Sequence, residues 1–235
     1  MKAARTKDGT SGAQVPLEMR LREAMAALKA RASDAVRDGY PRFAIPVTRA
    51  LGVTMRDIQA IAKPLRPDHA LAQALWETGI YEARMLAAYV DDPAAVTPAQ
   101  MDRWCRDFDN WAICDTACFA LFDRTPHAWP QVRRWVSRRG EFQKRAAFAL
   151  IWGLSVHDKK GADEPFLEAL QLVEREAVDG RHYVKKAISM ALRGTGKRNP
   201  ALRKAALDVA RRLAASGVPP AVSIGKEAIR ELGKG

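Results

Sequence analysis

The sequence predicts an all-α protein, an α–α superhelix of stacked helix pairs. Three observations carry that reading. Apolar residues recur at helical rather than strand spacing along almost the whole chain, Asn-Gly hairpin turns are absent, and four Ala-rich segments repeat one pattern at intervals of 30, 31 and 41 residues. At 235 residues, with 48% hydrophobic and 28% charged content, the composition is that of a globular protein and excludes a disordered polyelectrolyte.

The first 16 residues, MKAARTKDGTSGAQVP, are basic and lack the apolar stretch of a secretory signal. They read as a flexible tail ahead of a single helical-repeat domain over 17–235. LEMRLREAMAALKARASDAV then sets Leu17, Leu21, Met25 and Leu28 on one face of an amphipathic helix. Thr97-Pro98-Ala99-Gln100 marks a helix start, with a capping Thr, Pro at the first helical position and Gln three residues after the cap. Prolines 41, 46, 64, 67, 93, 98, 126, 130, 165, 200, 219 and 220 fall near the expected junctions of about a dozen helices. The longest apolar run, Ala146 to Leu154, is about nine residues, against the roughly 20 needed to span a membrane. Cys105, Cys114 and Cys118 are odd in number and lack CxxC spacing, which suits free thiols in a cytoplasmic protein.

Four segments begin with an aromatic residue and continue as Ala-rich helix: YEARMLAAYV from Tyr81, WAICDTACFALF from Trp111, FQKRAAFALIWG from Phe142 and YVKKAISMALRG from Tyr183. Arg103-Trp104 and Arg134-Trp135 each precede the next aromatic by seven residues. One helix pair per unit at this period indicates a stacked array of the HEAT kind, with one continuous core and one concave face. Trp76, Trp104, Trp129, Trp135 and Trp152 read mainly as packing residues between helices.

The repeat makes equivalent positions comparable. Three residues after the aromatic stand Arg84, Arg145 and Lys186, with Lys144 and Lys185 just before the last two. Equivalent positions in stacked units point the same way, so these should form a basic stripe suited to a phosphate backbone. The net charge of +12 agrees with a polyanionic partner. The segment Gly194 to Pro200 reads as a loop that adds Lys197, Arg198 and exposed backbone N–H groups. At the next position the segments carry Met85, Ala146 and Ala187, but the second carries Asp115, at i+4 from Trp111 and so on the same helix face. An acid beside a basic groove repels phosphates. It is either half of a structural salt bridge or a carboxylate placed against a developing positive charge.

DNWAICDTACFALF, QKRAAFAL, HYVKKAISMALRGTGKRNP and PPAVSIGKEAIREL resemble, in order and spacing, landmarks of the AlkD-like DNA alkylation-repair glycosylases, over roughly residues 17 to 232. The resemblance implies a C-shaped HEAT-like solenoid with a basic concave face that binds double-stranded DNA as a monomer. Trp111 would pack on the deoxyribose, Asp115 would be the catalytic carboxylate and Arg145 would hold the backbone near the lesion. Arg84, Lys144, Lys185, Lys186, Met190, Lys197 and Arg198 would contact DNA. The implied substrates are cationic N3- or N7-alkylpurines, whose departure leaves an oxocarbenium-like sugar that a carboxylate stabilises. No metal or organic cofactor and no membrane is implied. Where the best-known branch has a second aromatic, this chain has Met190, which packs on a sugar but offers no π face. The alternative is a non-catalytic helical-repeat module for nucleic acid or a protein partner, and the direction in which Asp115, Arg145 and Lys186 point should separate the two.

Overall fold

The computed structural model describes residues 15–234; the expected tail up to residue 14 lies outside them. Thirteen α-helices and two short 3₁₀ turns, with no strand among the described residues, follow one another. The helices are α1 (Leu17–Lys29), α2 (Asp34–Arg37), α3 (Met55–Leu65), α4 (His69–Glu77), α5 (Tyr81–Val90), α6 (Pro98–Arg106), α7 (Trp111–Ala120), α8 (Ala128–Trp135), α9 (Glu141–His157), α10 (Glu164–Glu176), α11 (His182–Gly196), α12 (Pro200–Ala215) and α13 (Pro219–Leu232). No described helix is long and apolar enough to cross a membrane.

The repeat seen in the sequence is the repeat of the fold. Tyr81 and Trp111 open α5 and α7, while Phe142 and Tyr183 are the second residues of α9 and α11. These helices stack in order, α5 on α7, α7 on α9, α9 on α11 and α11 on α13, and α4, α8, α10 and α12 cover them from the other side. Tryptophans tie the outer helices together. Trp76 of α4 stacks on Trp104 of α6 at 3.9 Å between ring centroids. Trp76 donates its indole N–H to Asp107 and Trp135 donates to Asp102, each at 2.8 Å, so burial of the rings leaves those two donors satisfied. Side-chain caps set several helix starts: Thr97 accepts from the Gln100 N–H, and Asn110 from those of Ala112 and Ile113.

The first amphipathic stretch is not one helix. α1 ends at Lys29, and Ser33 caps a separate short helix by accepting from the Val36 N–H at 3.4 Å while its own N–H donates to the Gly52 carbonyl. Gly52 sits at φ +81°, and a Cβ there would lie 2.1 Å from the Ser33 carbonyl oxygen, so only glycine fits this crossing of two loops.

The segment from α2 to α3 is held by one buried carboxylate. Glu82 of α5 accepts from the Leu51 N–H at 2.8 Å, the Gly52 N–H at 2.7 Å, the Val53 N–H at 3.3 Å and the Tyr40 hydroxyl at 3.0 Å. Burial, then the Glu82 charge, holds the Tyr40 phenol well above its ordinary pKa, so it stays a donor. Glu82→Gln would turn an amide N–H₂ toward these donors. Its expected cost is about 1–3 kcal/mol, read as a lower urea midpoint with an unchanged slope.

Candidate active site and basic residues

Trp111 and Asp115, one turn apart on α7, line a mainly apolar cavity of about 490 Å³ together with Tyr40, Phe43, Ile45, Met55, Tyr81 and Met85. The indole N–H of Trp111 donates to the Phe43 carbonyl at 2.7 Å, which fastens the 3₁₀ turn Tyr40–Phe43 across the cavity. Phe43 remains 61% exposed at the rim.

Asp115 does not stand alone. Its Oδ1 accepts from Arg145 Nε at 2.8 Å and its Oδ2 from Nη2 at 2.6 Å, a bidentate pair. The third nitrogen of Arg145 donates to the Tyr183 carbonyl at 2.7 Å, so one guanidinium joins α7, α9 and the start of α11. Burial pushes the Asp115 carboxyl up from its ordinary value, and the hydrogen bonds and charge of Arg145 pull against that. Burial opposes the Arg145 cation too, but Asp115 outweighs it and the guanidinium is held more firmly charged. The structure therefore places Asp115 in a salt bridge and in the cavity wall at once. Each carboxylate oxygen uses one lone pair on Arg145 and has another left.

The expected free stripe of Arg84, Arg145 and Lys186 is not found, because stacked helices demand donors for the groups buried between them. Arg145 is buried in its pair. Arg84 turns into the next unit, donating to the Asp107 carbonyl at 3.3 Å and lying 5.1 Å from the Trp76 ring. Lys144 is held between Glu176 at 2.5 Å and Asp179 at 3.1 Å. Lys186 is exposed and Lys185 half-buried, and neither has an ion-pair partner among the described residues.

The predicted loop from Gly194 is also corrected, since α11 continues through Gly196 and both glycines are buried. A Cβ at Gly194 would lie 2.5 Å from Ser155 Oγ, and one at Gly196 would lie 2.6 Å from Leu232, so these glycines let α9 and α13 approach α11. Lys197 pairs with Glu231. Arg198 caps the carbonyls of Leu154, Asp158 and Gly161 and stacks 3.8 Å above Phe166. Met190 lines a second cavity with Trp152, separate from the one holding Asp115. Tyr40, Phe43 and Met55 were missed in the sequence, where no repeat reaches them.

His157 and Asp123 form a 2.6 Å pair away from this site, and burial pushes the Asp123 carboxyl up to about 6. Cys105, Cys114 and Cys118 are buried free thiols. No group of three His, Cys, Asp or Glu side chains among the described residues could hold a metal ion.

Two outcomes follow from these charges. Arg145→Met strands the Asp115 carboxylate in the stack and should cost about 3–5 kcal/mol in urea unfolding, with part of the loss recovered in the Asp115→Asn/Arg145→Met double variant. Asp179 is held below the ordinary carboxylate range by its hydrogen bonds to Arg181 and Lys144. A lowered folded pKa stabilises above the unfolded value of about 3.9 and loses that contribution as pH falls through the folded one. Asp179→Asn should therefore lower the melting temperature at pH 7, and the difference from wild type should shrink steadily in scans below pH 4.

Residues 24–231 match the model of a family described as DNA alkylation repair enzyme. Among solved structures, one at 20% identity matches with a TM-score of 0.75, covering 91% of this chain and 96% of the other. It is described as "a new family of proteins related to the HEAT-like repeat DNA glycosylases with affinity for branched DNA structures", and at this identity it establishes the shared HEAT-like fold. None of the curated proteins matches the chain.

Proposed function

The chain belongs to the DNA alkylation repair enzyme family, and we propose that it is a DNA glycosylase that releases cationic N3- or N7-alkylpurines from duplex DNA. The observation that carries this reading is the Asp115 carboxylate, fixed by two hydrogen bonds in the wall of an apolar cavity beside Trp111. An alkylated purine already bears a positive charge, so breaking its bond to C1′ releases a neutral base. The electron pair of that bond goes to the base and the charge passes to the sugar. A carboxylate in a low-dielectric wall stabilises that sugar cation more than one in water would. A free lone pair of Asp115 orients water toward C1′; the new C1′–O bond forms and the water's proton leaves to solvent, giving an abasic site and free base. Trp111 supports the sugar and Arg145 holds Asp115 at its angle. The exposed Lys186 and half-buried Lys185 contact the backbone, and the protein acts as a cytoplasmic monomer without a cofactor.

A second reading rests on the same pair. Because Arg145 neutralises Asp115, the site also fits a non-catalytic module that binds DNA structures. Wild type is expected to release 7-methylguanine from duplex DNA above the spontaneous rate, and Asp115→Asn to lower release by roughly 10²–10³-fold with duplex affinity retained. Chromatography of released base measures this. No release by wild type removes the glycosylase reading, and an equally active variant removes Asp115 from it.

A further inference from the structure

We propose that the cavity between α9 and α11 is a second nucleic-acid subsite, one that takes an unpaired base flanked by its phosphates. It rests on the reading that this protein binds DNA. It is distinct from the Asp115 cavity, has a volume of about 430 Å³, and is lined by Trp152, Val156, Lys159, Met190, Arg193 and Lys197 among others. That volume lies within the ~300–1,000 Å³ common for small-ligand sites.

Trp152 is the centre of the argument. Phe119 stacks on it at 4.4 Å with 28° between the ring planes, so the indole is held on an aromatic support from the preceding inner helix. Gly194 meets its edge, where a Cβ would lie 3.0 Å from the ring, and this glycine keeps the indole seated between the helices. Trp76 and Trp135 are wholly buried and donate to carboxylates, and Trp111 donates to a carbonyl. Trp152, like Trp104 and Trp129, has no acceptor for its N–H among the described residues, but unlike the wholly buried Trp104 it is half-buried and lines an open cavity. The cavity at its side is walled by apolar and charged side chains together.

The charge around it suits a polyanion. Lys159, Arg193 and Lys197 line the cavity with Glu231, whose carboxylate holds Arg193 and Lys197 in place, while Glu227 lies 3.8 Å from Arg193. Lys159 is exposed and spends one proton on the Ser155 carbonyl at 3.2 Å. An aromatic ring beside anchored cations is the arrangement that binds single-stranded nucleic acid, where bases stack and phosphates are neutralised. A base inside a duplex is already stacked on both faces and cannot enter, so the subsite selects DNA with an unpaired base, as at a gap or branch point.

The test uses the full chain, an intact duplex, and the same duplex carrying a short gap with 2-aminopurine as the unpaired base. Wild type is expected to quench the 2-aminopurine and to favour the gapped DNA. Trp152→Ala should weaken gapped binding about tenfold while duplex affinity stays within twofold, and Trp152→Phe should restore most of it. Val156→Asp, on the cavity wall, should give the same selective loss. Equal affinity of wild type and Trp152→Ala for gapped DNA, or an equal loss on both DNAs, overturns the subsite. Duplex binding without gap preference overturns the subsite alone, whereas no binding of either DNA overturns the DNA reading as well.

Discussion

The guanidinium of Arg145 is the point on which the inner layer of this protein depends. It sits among three successive helices, pairs both oxygens of Asp115 and binds the Tyr183 carbonyl. A buried ion pair of this kind adds little net stability over an apolar contact, but losing one member is severe, because the other is left charged without water. The pair thus works as a register device, tying α7, α9 and α11 to one relative position. Asp115, Trp111 and the cavity they share are placed by the same contact.

The same logic governs much of the basic excess. Arg84 reaches into the next unit, Arg134 lies 2.9 Å from Asp102, Lys144 joins two acids, and Arg198 caps three carbonyls at the end of α9. Stacked helices expose their ends to one another, and long cationic side chains are the groups that can reach across to satisfy them. Net charge therefore overstates the surface available to a polyanion. Of the residues expected in the stripe, Lys185 and Lys186 on α11 are the ones without an ion-pair partner among the described residues.

Much of the architecture was legible in the chain. The aromatic that opens each inner helix, the Thr97 cap and the recurring tryptophans of the outer helices all report local rules, helix period and capping, that act within one unit. Two stretches were not legible. The segment from residue 33 to 54 has no repeat and takes its path from Glu82, 28 or more residues away. Gly194 and Gly196 carry a loop signal in isolation, yet they are helical because neighbouring helices need the room a Cβ would occupy.

By itself the sequence determined the helices, their pairing into repeats and the singular acid at Asp115, since each follows from residue type and spacing along one or two turns. The tertiary structure alone decided which cations are free, that Asp115 is both paired and set in a cavity wall, and that Trp152 and Met190 share a cavity of their own. Those outcomes depend on which groups meet across helix interfaces and how much water is excluded there. No spacing along the chain encodes either one.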